Sequence, residues 1–117
     1  MIRLIISDCD GVLTDGKLYY GAEGEVLKVF NVKDGTAIKA LMAEGIKFGI
    51  VSGRGSAALE RRAEELGLDF CQMNISDKAQ TVAGIRAQYG IEVEETLFVG
   101  TIRMIVPCAR NVVICMR

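Results

Sequence analysis

Asp8-Cys9-Asp10-Gly11-Val12-Leu13-Thr14-Asp15-Gly16, set directly behind the apolar run Leu4-Ile5-Ile6, decides how this chain is read. A short apolar run closed by a polar, glycine-containing turn is the pattern of a buried strand. Asp8 and Asp10 stand two residues apart at its exit, and side chains i and i+2 of an extended chain point the same way. Both carboxylates can therefore face one ligand. A carboxylate can attack phosphorus directly and form an aspartyl-phosphate, dividing one hard step into two easier ones. A second carboxyl can protonate the leaving oxygen and later activate water. Mg²⁺ would offset the repulsion between carboxylate and phosphate. Alone, the motif is equally a strand ending in a polar turn, so the later loops carry the decision.

Downstream, apolar runs alternate with amphipathic segments. The pattern predicts a strand over Arg3–Ser7 and a hairpin over about 17–30. A helix capped by Asp34 follows, running to Glu44. Strands are expected at Ile46–Val51, Leu68–Gln72 and Thr96–Val99, and helices from Ser56 to Leu66 and from Asp77 to Tyr89. Val112–Cys115 is a candidate fifth strand. Continuous rather than alternating apolar strands predict an α/β domain, a parallel sheet with helices on both faces. Right-handed crossovers then gather the loops at the carboxyl ends of the strands.

Two of those loops fit an anion. Ser52-Gly53-Arg54-Gly55-Ser56 offers a hydroxyl, glycine N–H groups and a helix N-terminus, although an ordinary βα turn has the same look. Lys78 lies in the first turn of a helix, the end cations usually avoid, so it either faces an anion or, equally on this argument alone, is a solvated surface lysine. Arg61-Arg62 with Glu64-Glu65 reads as a solvated, ion-paired face. The hairpin carries Tyr19, Tyr20, Val29 and Phe30, too apolar for an isolated ribbon, so it should pack on another subunit or on its own domain.

Composition narrows the field. The 117 residues, half of them hydrophobic and 25% charged, suit one domain over 1–117. A net charge of −1 gives no electrostatic pull toward nucleic acid or an anionic membrane. No run approaches the ~18 apolar residues of a membrane span, and the chain opens on a strand, not a leader, so a cytoplasmic location is expected. Cys9, Cys71, Cys108 and Cys115 lack paired spacing and histidine is absent, which argues against zinc and against Ser-His or Cys-His nucleophiles.

Together DCDGVLTDG, the hairpin ending in FNVKDG, VSGR, RRAEELG and Gln72 followed by Lys78 resemble the haloacid-dehalogenase (HAD)-like phosphatases, and among them the 3-deoxy-D-manno-octulosonate 8-phosphate phosphatase group. The resemblance spans roughly residues 4 to 100. It implies a Rossmann-like HAD fold with a small β-hairpin cap, and a Mg²⁺-dependent phosphatase of lipopolysaccharide biosynthesis acting on an acidic sugar phosphate. A nonulosonate (sialic-acid-type) 9-phosphate is the nearest alternative substrate. Asp8 would be the nucleophile and a metal ligand, and Asp10 the general acid/base, with its backbone carbonyl on the metal. Ser52, Gly53, Arg54 and Lys78 would hold the phosphoryl group and substrate. A tetramer with hairpins meeting at its centre is also implied.

The chain departs from that family after the fourth strand. The family's Gly-Asp-Asp-x-x-Asp becomes Gly100-Thr101-Ile102-Arg103-Met104-Ile105, and no carboxylate occurs from Thr101 to Arg117. Met73 stands where a glycine is usual. The divergent tail 101–117 thus implies a C-terminally truncated, catalytically impaired relative. It also has the look of family sequence in a shifted frame. Triplets spanning codon boundaries permit Asp at the Gly100/Thr101 and Thr101/Ile102 junctions, and force Asp at Met104/Ile105 because methionine has only ATG.

Overall fold

β1 (Leu4–Ser7) is buried along its whole length, as a strand must be when helices cover both faces of its sheet. The structure, a computed structural model, describes residues 1–10, 12–14, 16–17, 19–101 and 110–114; the side chains of Val26, Thr101 and 110–114 are outside that description. The sequence expectations for 102–109, Cys115 and the motif residues Gly11 and Asp15 lie outside it as well.

After β1 come a two-stranded hairpin, β2 (Tyr19–Gly21) with β3 (Gly24–Leu27), then α1 (Val32–Ala43) and β4 (Lys47–Val51). They are followed by α2 (Ala57–Leu66), β5 (Phe70–Gln72), α3 (Lys78–Tyr89), a 3-10 turn (Val93–Glu95), β6 (Thr96–Thr101) and β7 (Arg110–Ile114). The main sheet has the order β5-β4-β1-β6-β7, and every adjacent pair in it is parallel. Ser7 lies opposite Ile50 on one side and Val99 on the other, so the carboxyl ends of β1, β4 and β6 lie on the same side of the sheet, with β6 running on to Thr101.

Alternation along β1 sorts the core into two layers. Leu4 and Ile6 pack with Val51, Phe98 and the α3 residues Val82 and Ile85. Ile5 packs on the opposite face with Phe48, Ile50, Ile38 of α1, and Leu59 and Leu66 of α2. Each fully buried side chain of this size stabilises the fold by roughly 1.5–3 kcal/mol. The expected α/β architecture with helices on both faces is what the chain forms.

Helix ends follow local chemistry. Ser56 Oγ accepts the N–H of Leu59 at 3.1 Å and Asp77 Oδ1 that of Gln80 at 3.0 Å. Gly67 and Gly90, at φ +68° and +66°, close α2 and α3 in the left-handed conformation that other residues avoid. The first helix differs from expectation. Asn31, not Asp34, is its cap: Asn31 Oδ1 accepts the Lys33 N–H at 2.8 Å, and Asp34 sits in the first turn, facing the positive end of the dipole.

The hairpin's return strand is also shorter than the sequence suggests, ending at Leu27, with Phe30 joined instead to Thr14 by an isolated antiparallel bridge. Tyr20, Leu27, Val29 and Val32 are exposed. Among the described residues, no helix is long and apolar enough to cross a membrane.

Candidate active site

The sheet delivers the candidate residues to one edge. Asp8 immediately follows β1, and its N–H donates to Val99 of β6 at 2.9 Å, so the turn begins locked to the neighbouring strand. The Asp8 residue is 7% exposed. A buried carboxylate needs partners. Asp8 Oδ1 accepts the Cys9 N–H at 2.8 Å and the Lys78 ammonium at 3.2 Å. Lys78 reaches it from the first turn of α3, across a separation of seventy residues. Sequence order therefore hides this contact.

Asp10 has a different environment. Its Oδ1 accepts from Lys28 Nζ at 2.8 Å, and its Oδ2 lies 4.0 Å from Arg54 Nε. Arg54 also reaches Glu25, with Nη2 3.1 Å from Oε2. Ser52 follows β4 and is buried, its hydroxyl accepting the Arg54 N–H at 3.3 Å. Its backbone is held between Gln72 and Ile75: Ser52 N–H donates to the Gln72 carbonyl, and the Ser52 carbonyl accepts from Ile75 N–H. Gly53 is exposed beside it.

Asp8 and Lys78 are thus in direct contact, and Asp10 and Arg54 form a longer pair. Ser52 and Gly53 share the strand-end edge without a described side-chain bond to Asp8 or Lys78. Gly55 has a packing reason. A Cβ there would lie 2.8 Å from the Asn74 carboxamide, and Asn74 itself holds φ +58° in the loop after β5.

Two members of this ion-paired set, Lys28 and Glu25, went unrecognised in the sequence. Both belong to the hairpin return, where Glu25-Val26-Leu27-Lys28 looks like an ordinary half-solvated strand. The available signal was a pair of opposite charges three residues apart beside an apolar run. Burial drags the Lys28 ammonium downward in pKa, but its hydrogen bonds to Asp10 and Glu25 outweigh that and leave it above the usual lysine value. Cys9, between the two acids, has its thiol pushed up to about 12, chiefly by burial and secondarily by Asp10.

Chemically, the arrangement offers one buried carboxylate held by an ammonium and a second carboxyl held by two cations. Hard oxygen donors of this kind suit Mg²⁺, which needs few protein ligands and keeps several waters. Among the described residues, no group of three or more His, Cys, Asp or Glu is placed to hold a metal.

Comparison with known proteins follows the same outline. The chain is 40% identical over 99 residues to the 3-deoxy-D-manno-octulosonate 8-phosphate phosphatase of Haemophilus influenzae, a match covering 85% of this chain and 55% of that protein. The crystal structure of the Moraxella catarrhalis phosphatase, in complex with magnesium, phosphate and KDO, superposes with a TM-score of 0.81 at 38% identity, over 86% of this chain and 57% of that one. The cobalt-bound H. influenzae structure gives a TM-score of 0.82 at 40% identity, covering 86% and 58%. No protein-family model matches the chain. The chain spans about half the length of the curated relatives it matches. Over the residues it shares with them, the chain is similar to the 3-deoxy-D-manno-octulosonate 8-phosphate phosphatases and to HAD-superfamily hydrolases.

Proposed function

We propose that this chain carries the catalytic core of a phosphatase for an acidic sugar phosphate, with 3-deoxy-D-manno-octulosonate 8-phosphate as its substrate. The observation that supports it most is the Asp8–Lys78 pair at the carboxyl end of the central strand. Asp8 Oδ1 is occupied by Lys78 and the Cys9 N–H, which leaves Oδ2 to attack phosphorus. Oδ2–P forms as the bond from phosphorus to the sugar oxygen breaks, and Asp10, having taken up a proton from solvent before this step, gives it to the departing alcohol. Asp10 then takes a proton from water, whose oxygen displaces Asp8 and releases inorganic phosphate. Lys78 faces the charge that builds on the phosphoryl oxygens.

The Asp8 carboxylate and the Asp10 backbone carbonyl would hold Mg²⁺. The ion would neutralise phosphate charge there. Charge balance around the site favours such a cation. Asp8, Asp10 and Glu25 are already matched by Lys28, Arg54 and Lys78, so an arriving dianion finds no surplus positive charge in this ion-paired set. The exposed apolar side chains of the hairpin support assembly with further copies of the chain, a tetramer in the group it resembles.

A second reading has its own observation. No carboxylate is present from Thr101 to Arg117, so the fold and its anion site are retained while metal affinity and turnover are impaired. Phosphate release from octulosonate 8-phosphate, titrated with Mg²⁺, separates the two. Mg²⁺-dependent release that disappears in Asp8→Asn supports the phosphatase. Binding of inorganic phosphate without release supports the impaired protein.

A further inference from the structure

We propose that Lys28 is a positioning residue that clamps the hairpin to the first catalytic loop and orients Asp10. The inference deepens the phosphatase reading and rests on it for the role of Asp10, whereas the clamp itself stands on geometry alone. Lys28 follows β3 directly, yet its side chain is only 3% exposed. Its ammonium lies 2.8 Å from Asp10 Oδ1 and 3.1 Å from Glu25 Oε1. Lysine normally keeps its charged end in water, so a buried ammonium is tolerated only where carboxylates replace the lost hydration. Here two carboxylates from different segments supply it, one from the turn after β1 and one from the hairpin.

A second contact runs alongside. Glu25, 11% exposed, also holds Arg54 of the loop after β4 at 3.1 Å. The hairpin thereby grips two strand-end loops at once, through Lys28 to Asp10 and through Glu25 to Arg54. A two-stranded ribbon is marginal on its own, so these contacts decide where it rests. Because Asp10 Oδ1 is engaged by Lys28, the carboxyl is held in one rotamer, with its remaining oxygen on the Arg54 side. Displacing Lys28 frees the hairpin and the Asp10 rotamer together.

Two readouts test this, one of them independent of turnover. In amide hydrogen exchange, Lys28→Met should speed exchange across the hairpin, residues 19–27, by at least tenfold while β1 and β4 keep their protection. Asp10→Ala should do the same, and the double variant should add little to either single one. Lys28→Arg should restore most of the protection. Unchanged hairpin exchange in Lys28→Met, or fully additive effects in the double variant, would overturn the clamp. If Lys28→Met does not fold, Asp10→Ala against Lys28→Arg decides the matter in the same assay.

In phosphate release, Lys28→Met should lower kcat at least tenfold with KM within threefold, and Lys28→Arg should recover part of kcat. A loss confined to KM would contradict the orienting role. Absence of release from the unaltered chain would instead count against the phosphatase reading, and the exchange result would still judge the clamp.

Discussion

At the level of single residues, two acids close in sequence stand in different surroundings. Asp8 is enclosed and held by Lys78; Asp10 is half-exposed and held by Lys28 and Arg54. Asp10→Asn should therefore reduce kcat by about 10²–10⁴ with little change in KM, the loss expected of a general acid/base. Lys78→Met should cost roughly 10²–10³ in kcat on the proposed role of its charge toward the phosphoryl oxygens; steady-state kinetics of each variant checks both. Cys9, fully buried with its thiol pushed up to about 12, should resist maleimide in the folded protein and react only on unfolding, as peptide mapping will report. Asp8, Asp10 and Lys78 could be singled out as candidates because their types contradict their positions: acids ending an apolar strand, and a cation at a helix start. Lys28 was not. Its meaning depends on a hairpin folding back onto a loop eighteen residues earlier, which no local pattern encodes.

At the scale of elements, capping and close packing decide where the loops begin. Ser56→Ala should remove the side-chain cap of α2 at a cost of about 1 kcal/mol, read as a lower denaturation midpoint. Gly49→Ala should cost more, about 1–3 kcal/mol by overpacking, because a Cβ on β4 would lie 2.3 Å from the Phe70 ring. The 3-10 turn before β6 brings a pH dependence. The Glu92 N–H, and then Arg3, hold Glu95 below its ordinary value of 4.5. A carboxyl lowered on folding adds stability that is present above that ordinary value and lost as pH falls through the folded one. Glu95→Gln should accordingly flatten the acid limb of the thermal midpoint below about pH 4.5, measured against the unaltered chain. Strands and two of three caps could be read from sequence, since apolar runs and Ser, Asp and Gly signals are local. Asn31 was overlooked in favour of Asp34, because both are good caps and only backbone geometry separates them. The 3-10 turn has no periodicity long enough to announce itself.

At the scale of the whole molecule, the question is whether a site assembled from β1, β4, α3 and the hairpin is complete. The order β5-β4-β1-β6-β7 puts β6 next to β1, so the residues that follow β6 in sequence are where further acids would be sought beside Asp8. Thr101 and the tail beyond it supply none. Mg²⁺ affinity of the chain should therefore be weak, and Thr101→Asp with Ile102→Asp and Ile105→Asp should strengthen it by more than about tenfold in a calorimetric titration. The coding DNA is the companion check: GAC-GAT across codons 100–102 in the alternative frame is expected, and a different pair of triplets there removes the frameshift explanation. The α/β fold was legible almost in full, because continuous apolar strands between amphipathic segments admit few arrangements. Assembly was not, because exposed apolar side chains such as Tyr20 and Val32 do not by themselves name a partner.

An acyl-phosphate trap decides whether Asp8 is the nucleophile. The protein is turned over with octulosonate 8-phosphate and Mg²⁺, quenched in borohydride and mapped by mass spectrometry. Reduction of a phosphorylated aspartate to homoserine at position 8, absent in Asp8→Asn, is the predicted result. An unmodified Asp8, or label on any other side chain, would contradict it.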